Sequence, residues 1–385
     1  MYKYRLYPSR KQREHLFNTF KTCKQIYNEL LEMSINIYKS EGKTLRRFDY
    51  NKYLTGKYPE IHSQVKQNVS DRIHKSYQNF FRRVKDKTCI KKGFPRFKSR
   101  VNSITFPQSG FKFISNKRLY ASKIGNIPIM LHRIPKGKLK TMTIKINRAG
   151  QWFAIFACEV EIATVKHPSN EKVGIDVGLE YFSTLSNGKT IENPGHIVRT
   201  EKRLKRLQKK LSRKEKGSVN RKKAIFRLAK QHVKVANQRH DFLHKLSSSL
   251  TQRYDFIAVE DLNIRGMVHN HLLARHIYDA SWNNFIQMLS YKAVACGGQL
   301  IKVNPRNTSK TCSNCKTIID MSLHKRQFSC PNCGFVCHRD LNSALNILSL
   351  GQDLPELTPV DRPTSAPSCE EVSGLIESGT IRDNS

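Results

Sequence analysis

The sequence predicts a multidomain α/β protein. A small antiparallel β unit is interrupted by a helical block and followed by a mixed α/β unit with a metal-clipped insertion. Three observations point there. Apolar residues repeat at three- and four-residue steps over residues 10–39 and 65–84, the signature of amphipathic helices. From Ile104 to Ile162 the texture changes to short β-type runs broken by Gly and Pro. Beyond Glu171, apolar strands alternate with long helices, and two Cys-x2-Cys pairs follow.

Residues 2–7 (YKYRLY) read as one strand stopped by Pro8. Leu16, Phe20, Cys23, Tyr27, Leu30 and Ile37 stripe the first helix, whose outer face is rich in Lys and Arg. Val65, Val69, Ile73, Tyr77, Phe80 and Val84 stripe the second. TMTIKIN and WFAIFACEVEI, around the turn Arg148-Ala149-Gly150, read as a hairpin. A small barrel or sandwich is expected there, completed by the strand at 2–7. KVGIDVG is a buried strand, and YFSTLS and KTIEN flank the hairpin signal Asn187-Gly188. Two helices, 199–215 and 219–250, are expected on either side of Gly217. The strand DFIAVE (255–260), a helix over 282–295 and the strand QLIKV (299–303) come next. A last helix opens at Asp340, and residues 351–385, without periodicity, are expected to form a disordered acidic tail.

Charge narrows the function. Sixty-nine Lys and Arg stand against thirty Asp and Glu, a net of +39. The tail holds seven acids and two bases, so the first 350 residues carry +44. A surface this basic repels itself unless a polyanion neutralises it, and phosphate contacts are the usual reason to tolerate it. Arg82–Arg100 has nine bases and one acid; Arg199–Lys245 has eighteen and three. A solvated outer face accounts for any one Lys, but a net of +15 on one helical hairpin calls for a phosphate backbone. Candidate contacts are Arg82, Arg83, Lys91, Lys92, Arg96, Lys98, Arg203, Arg206, Lys210 and Arg221. The longest apolar run, Trp152–Cys158, is seven residues, whereas a membrane-spanning helix needs about 20. No basic amphipathic anchor dominates and no secretory leader is legible, so a cytoplasmic location is expected.

Three acids sit where acids are costly. Asp176 interrupts an apolar strand between Ile175 and Val177; Glu260 ends another; Asp340 starts the last helix. A charge in a strand core costs several kcal/mol unless paired or metal-bound. Brought together, three carboxylates are hard ligands suited to Mg²⁺ or Mn²⁺, and such pairs of ions serve phosphodiester cleavage. The plainer readings are that Asp340 caps its helix and that Glu260 and Asp261 cap a turn. GIDVG also occurs beside nucleotide phosphate in actin-like ATPases, but no second Gly-rich phosphate loop supports that reading here. Cys312-x2-Cys315-x14-Cys330-x2-Cys333 is the spacing of a closed, structural zinc site. Cys337 is a nearby fifth thiol. The remaining cysteines are scattered, and the ten together do not form a disulfide framework.

The motifs YKYRLYPSRKQ, GFPRFKSR (93–100), GIDVGLEYFSTLSNGKTIENP (174–194), VEDLNIRGM (259–267), NTSKTCSNC (307–315) and CGFVCHRDLNSALNIL (333–348) occur in this order. On them the chain resembles the TnpB (OrfB) proteins of bacterial and archaeal insertion sequences, relatives of type V CRISPR nucleases. The resemblance implies a wedge-type β-barrel domain (1–8 and 104–168) interrupted by a helical recognition lobe (9–103). It implies an RNase H-like RuvC nuclease domain (169–306, with its last helix at 337–350) and a zinc-ribbon insertion (307–336) that binds target nucleic acid. A non-coding guide RNA, target double-stranded DNA beside a short transposon-adjacent motif, Mg²⁺ or Mn²⁺, and Zn²⁺ are implied as partners and cofactors. The resemblance implies that Asp176, Glu260 and Asp340 hold the catalytic cations and that Cys312, Cys315, Cys330 and Cys333 hold zinc. Cys337 departs from the family pattern. The presence of all three acids argues against the nuclease-dead relatives that act as RNA-guided repressors. The rival readings are a conventional transposase that joins DNA ends without RNA, and a non-catalytic nucleic-acid-binding regulator.

Overall fold

A computed structural model describes residues 1–160, 167–269, 271–322 and 325–354. The chain divides into two compact units, Met1–Glu161 with Lys216–Lys230, and Ile162–Glu215 with Gln231–Ser385.

The first unit begins with β1 (Tyr2–Leu6) and the long helix α1 (Arg10–Glu41). Ser9 and Gln12 close a reciprocal capping box at the start of α1, and Gly42, at φ +66°, ends it in the left-handed conformation. Next come α2 (Arg47–Leu54) and α3 (Ser63–Lys85). The strands β2 (Ser103–Phe106), β3 (Phe111–Ser115), β4 (Arg118–Ala121), β5 (Gly125–Met130), β6 (Lys138–Ile146) and β7 (Trp152–Glu159) complete the unit. The sheet order is β2-β6-β7-β1-β5-β4-β3. β1 is antiparallel to both neighbours, with Arg5 opposite Met130 and Leu6 opposite Trp152. The N-terminal strand therefore lies inside a sheet whose other strands follow the helices. One apolar cluster joins the sheet (Tyr4, Ile144, Phe156) to α1 (Leu16, Phe20, Leu30) and α3 (Val65, Ile73). Among the described residues β2 and β3 stand at the two ends of the order, and no pairing between them closes the sheet.

The second unit carries β8 (Lys172–Val177), β9 (Tyr181–Leu185), β10 (Thr190–Glu192), α4 (His196–Ser212) and α5 (Val219–Arg253), whose opening turns belong to the first unit. Then follow β11 (Phe256–Glu260), α6 (Ile264–Met267), α7 (His271–Ala280), α8 (Trp282–Ala295) and β12 (Gln299–Val303). β13 (Gln327–Ser329) and β14 (Val336–His338) form a ribbon, and α9 (Arg339–Asp353) closes the unit. The five-stranded sheet runs β10-β9-β8-β11-β12. Its first two pairings are antiparallel and its last two parallel. α9 continues to Asp353, past the start expected for the tail; residues 355–385 lie outside the described ones. Among the described residues, no helix is long and apolar enough to cross a membrane.

Strand alternation decides which residues meet α9. Val173 and Ile175 of β8, with Ile257 and Val259 of β11, join the core built by α5, α7 and α8. Phe256 and Ala258 face the other way and pack with Ile347 of α9. By the same period of two, Gly174 and Asp176 fall on the α9 side, as does Glu260. The helix lies so close that a Cβ on Gly174 would sit 2.1 Å from the Ala344 carbonyl oxygen. Gly174→Ala should therefore push α9 off the sheet. A loss of about 2 kcal/mol or more is expected, read as a fall in thermal midpoint; an unchanged midpoint would show that α9 can shift freely.

Candidate active site

Parallel pairing sets Ile175 of β8 beside Val259 of β11. One residue further, Asp176 and Glu260 are neighbours on the same face, on strands about 4.8 Å apart. The third acid arrives on α9. Asp340, Ser343, Ala344, Ile347 and Gly351 are all buried, at helical spacings that make one stripe against the sheet. Asp340 opens that stripe, 9% exposed; Glu260 is 8% exposed. His338 caps the helix by accepting from the Asp340 amide at 3.3 Å, so the Asp340 carboxylate is not the cap.

The three acids form one electrostatic site. Burial first, then the charges of Glu260 and Asp340, hold the Asp176 carboxyl well above the ordinary range. Arg339 opposes this, as does the Ser343 hydroxyl, which lies near Asp176 without reaching a fully formed hydrogen bond. Burial also raises Glu260, against a hydrogen bond of 2.5 Å donated by Thr308 Oγ1. Asp340 has Arg339 at 3.4 Å and Arg326 at 3.9 Å. Crowded, partly desolvated carboxylates with only flanking cations are an incomplete arrangement by themselves. An all-oxygen donor set of this kind fits a hard divalent ion. Among the described residues the oxygens of the three acids do not all lie within 4.8 Å of one another, so a pair of ions would suit them better than one.

The four cysteine sulfurs, by contrast, are spaced to fit a single shell. The ligand sulfurs of Cys312, Cys315, Cys330 and Cys333 all lie within 4.8 Å of one another. The Cys312–Cys333 and Cys315–Cys330 separations are 3.7 and 3.5 Å. These are too long for disulfides and near the ~3.8 Å edge of a tetrahedron with zinc–sulfur bonds of about 2.3 Å. Thr317, its hydroxyl 3.3 Å from Cys315 Sγ, lowers that thiol to about 5, ready to ligate as thiolate. Cys337 packs against Cys312, Phe328 and Cys330 and stays outside the four-sulfur group.

The cysteine knuckle and the acids are tied to each other. Asn342 accepts from the Ser313 amide at 2.9 Å and donates to the Thr311 carbonyl at 2.7 Å. Asn346, one turn on, donates to the Thr308 and Thr311 carbonyls at 3.0 and 2.6 Å. Both asparagines are buried, so each bond replaces water that cannot enter. Thr308, held by this clamp, is the residue that donates to Glu260. Sequence reasoning missed Thr308, Asn342 and Asn346 as functional neighbours, although all three lie inside quoted motifs. Thr308→Val should leave the fold intact and reduce cleavage about 10- to 100-fold, with Thr308→Ser restoring most of it. Parent-level rates in Thr308→Val would remove the hydroxyl from the site.

Of the expected nucleic-acid contacts, Arg82, Lys91, Lys92, Arg96, Lys98, Arg203, Arg206 and Lys210 are exposed. Arg83 is partly diverted: its guanidinium donates to the Lys92 and Gly93 carbonyls at 3.0 and 2.8 Å, bracing the loop. Arg221 is half-buried near the start of α5.

Comparison with known proteins bears on what this geometry serves. Residues 155–271 match the OrfB_IS605 family, described as a probable transposase. Residues 282–347 match a Cas12f1-like TNB domain, and residues 1–43 a helix-turn-helix domain. A Streptomyces pristinaespiralis protein bearing the name RNA-guided DNA endonuclease is 33% identical over 91% of this chain and 89% of its own. The chain belongs to the OrfB/TnpB family. Another OrfB/TnpB relative, the Escherichia coli K12 protein InsQ, likewise named an RNA-guided DNA endonuclease, is 29% identical over 74% of each chain. A solved Cas12f1–sgRNA–target DNA complex shares the fold, with a TM-score of 0.56 at 16% identity over 88% of this chain and 82% of that one. Within this OrfB/TnpB chain, residues 1–43 fold as one strand and one unbroken 32-residue helix rather than as two helices about a turn.

Proposed function

We propose that this chain is an RNA-guided DNA endonuclease of an insertion sequence, with an RNase H-like nuclease domain of RuvC type in the second unit. The reading rests most on one observation: Asp176 of β8 is buried within the electrostatic reach of Glu260 of β11 and Asp340 of α9, whose charges help to hold its carboxyl well above the ordinary range. Such a cluster is unfavourable by itself and useful with cations. Ions held by Asp176, Glu260 and Asp340 would stabilise charge on a phosphate and supply an activated water.

The chain's own residues have distinct roles in this scheme. Asp176, the acid that feels the charge of both others, would be the shared ligand. Thr308 aims Glu260, and Ser343 and Arg339 lie against Asp176. The four-cysteine knuckle carries no chemistry; zinc held by Cys312, Cys315, Cys330 and Cys333 would brace the loop that positions Thr308. Guide RNA reads the sequence by pairing, while the protein grips backbone and shape, which accounts for a chain of +39. The first unit is assigned to the wedge and recognition roles. Purification from cells carrying the parent element tests this. A discrete RNA should copurify, and its removal should abolish Mg²⁺-dependent cutting of matched plasmid. Cutting that survives nuclease treatment of the RNA would favour a conventional transposase, and RNA binding without nicking a regulator.

A further inference from the structure

A pocket of about 560 Å³ opens in the first unit, between α1, residues 99–102, the β6–β7 turn and the part of α5 that belongs to this unit. This volume lies in the range of sites that hold small ligands. Its charge is one-sided: Lys21, Lys24, Arg100 and Arg148 line it, and among the described residues no carboxylate does. Its apolar wall is aromatic. Phe17 is 50% exposed and Phe226 is 40% exposed, although both rings are fixed from behind. Phe17 packs against Trp152 at 5.4 Å and Phe20 at 6.3 Å, both edge-on. Phe226 rests on the β6–β7 turn so closely that a Cβ on Gly150, at φ +69°, would lie 3.0 Å from its ring.

We infer that this pocket binds one unstacked nucleotide of a single-stranded segment. Its base would lie on an aromatic wall and its flanking phosphates on the four cations. Rigid, half-exposed aromatic rings beside cations are what sequence-tolerant single-strand sites use. An acidic peptide would find the charge but no need for anchored aromatic rings, and a duplex cannot offer an unstacked base. None of the six residues belongs to the cation or zinc sites. The inference rests on the proposed RNA-guided function and adds a site to it.

The test uses the full chain with fluorescent single-stranded RNA, single-stranded DNA and duplex DNA of mixed sequence. Phe17→Ala and Phe226→Ala should each weaken single-strand binding about tenfold, with duplex affinity unchanged. Phe17→Tyr should bind as the parent does. Lys21→Gln and Arg100→Gln should each lower the slope of log affinity against log salt by about 0.7. Loss confined to RNA assigns the pocket to the guide; loss confined to DNA assigns it to a displaced strand. Alanine variants that bind single strands within twofold of the parent, or that lose duplex affinity equally, overturn the inference. Asp176→Asn separates the two failures. If it binds like the parent but does not cut, a normal result for the phenylalanine variants rejects the pocket alone.

Discussion

Asp176→Asn is expected to abolish Mg²⁺-dependent plasmid cleavage, by more than about 10³-fold, while RNA binding survives and the metal-free protein becomes harder to melt. The second effect follows from the first unfavourable fact about the site. Burial and two neighbouring carboxylates hold Asp176 well above its ordinary pKa, so the fold favours the protonated acid. A group raised in the folded state contributes fully below its unfolded pKa, and that stability is lost as pH rises through the folded value. At pH 7.5 in chelator the parent therefore carries the strain of a buried carboxylate, and asparagine removes it. The gain in midpoint should shrink as pH falls toward about 4. Added Mg²⁺ should also stabilise the parent more than the variant. Cleavage at parent level, or a lower midpoint for the variant in chelator at neutral pH, would remove Asp176 from the cation site.

Cys312→Ser carries the second large effect. The parent should hold one zinc per chain and the variant none, because a three-thiolate remnant cannot close the tetrahedron. Structural zinc contributes on the order of 10–16 kcal/mol in isolated finger peptides, far more than the small apolar cluster around Phe328 supplies. Thermal unfolding should start earlier, and cleavage should fall although Cys312 is not one of the three acids. The Ser313 amide, the Thr311 carbonyl and Thr308 are held by Asn342 and Asn346, and they follow the knuckle when it loosens. Metal analysis that finds equal zinc in parent and variant would overturn this account.

Much of the second unit is legible in the sequence because its elements are long or its strands uniformly apolar. KVGIDV and FIAVE allow one reading each, and the helix over Trp282–Ala295 carries six buried apolar residues. The cysteine spacing is equally plain, since two knuckles in register have few other uses. Short helices escape: α2 has eight residues, barely two turns, with only Tyr50 and Leu54 buried, too few to establish a period. The polar contacts escape for a different reason. Asn342 and Asn346 lie four apart on a helix whose apolar stripe draws attention elsewhere, and an asparagine looks alike in sequence whether solvated or fully enclosed. The electrostatic coupling of Asp176 to Glu260 and Asp340 depends on strand register and on the closeness of Gly174 to Ala344, which are properties of packing.

The asparagine clamp limits how far this chain can be trimmed. An engineer seeking a smaller editor by excising residues 312–333 would remove the Ser313 amide held by Asn342 and free the backbone ends at Thr311 and Gly334. A linker there would have to supply an amide donor to the Asn342 side chain in place of Ser313 and keep the Thr311 carbonyl against both asparagines, beneath the helix bearing Asp340.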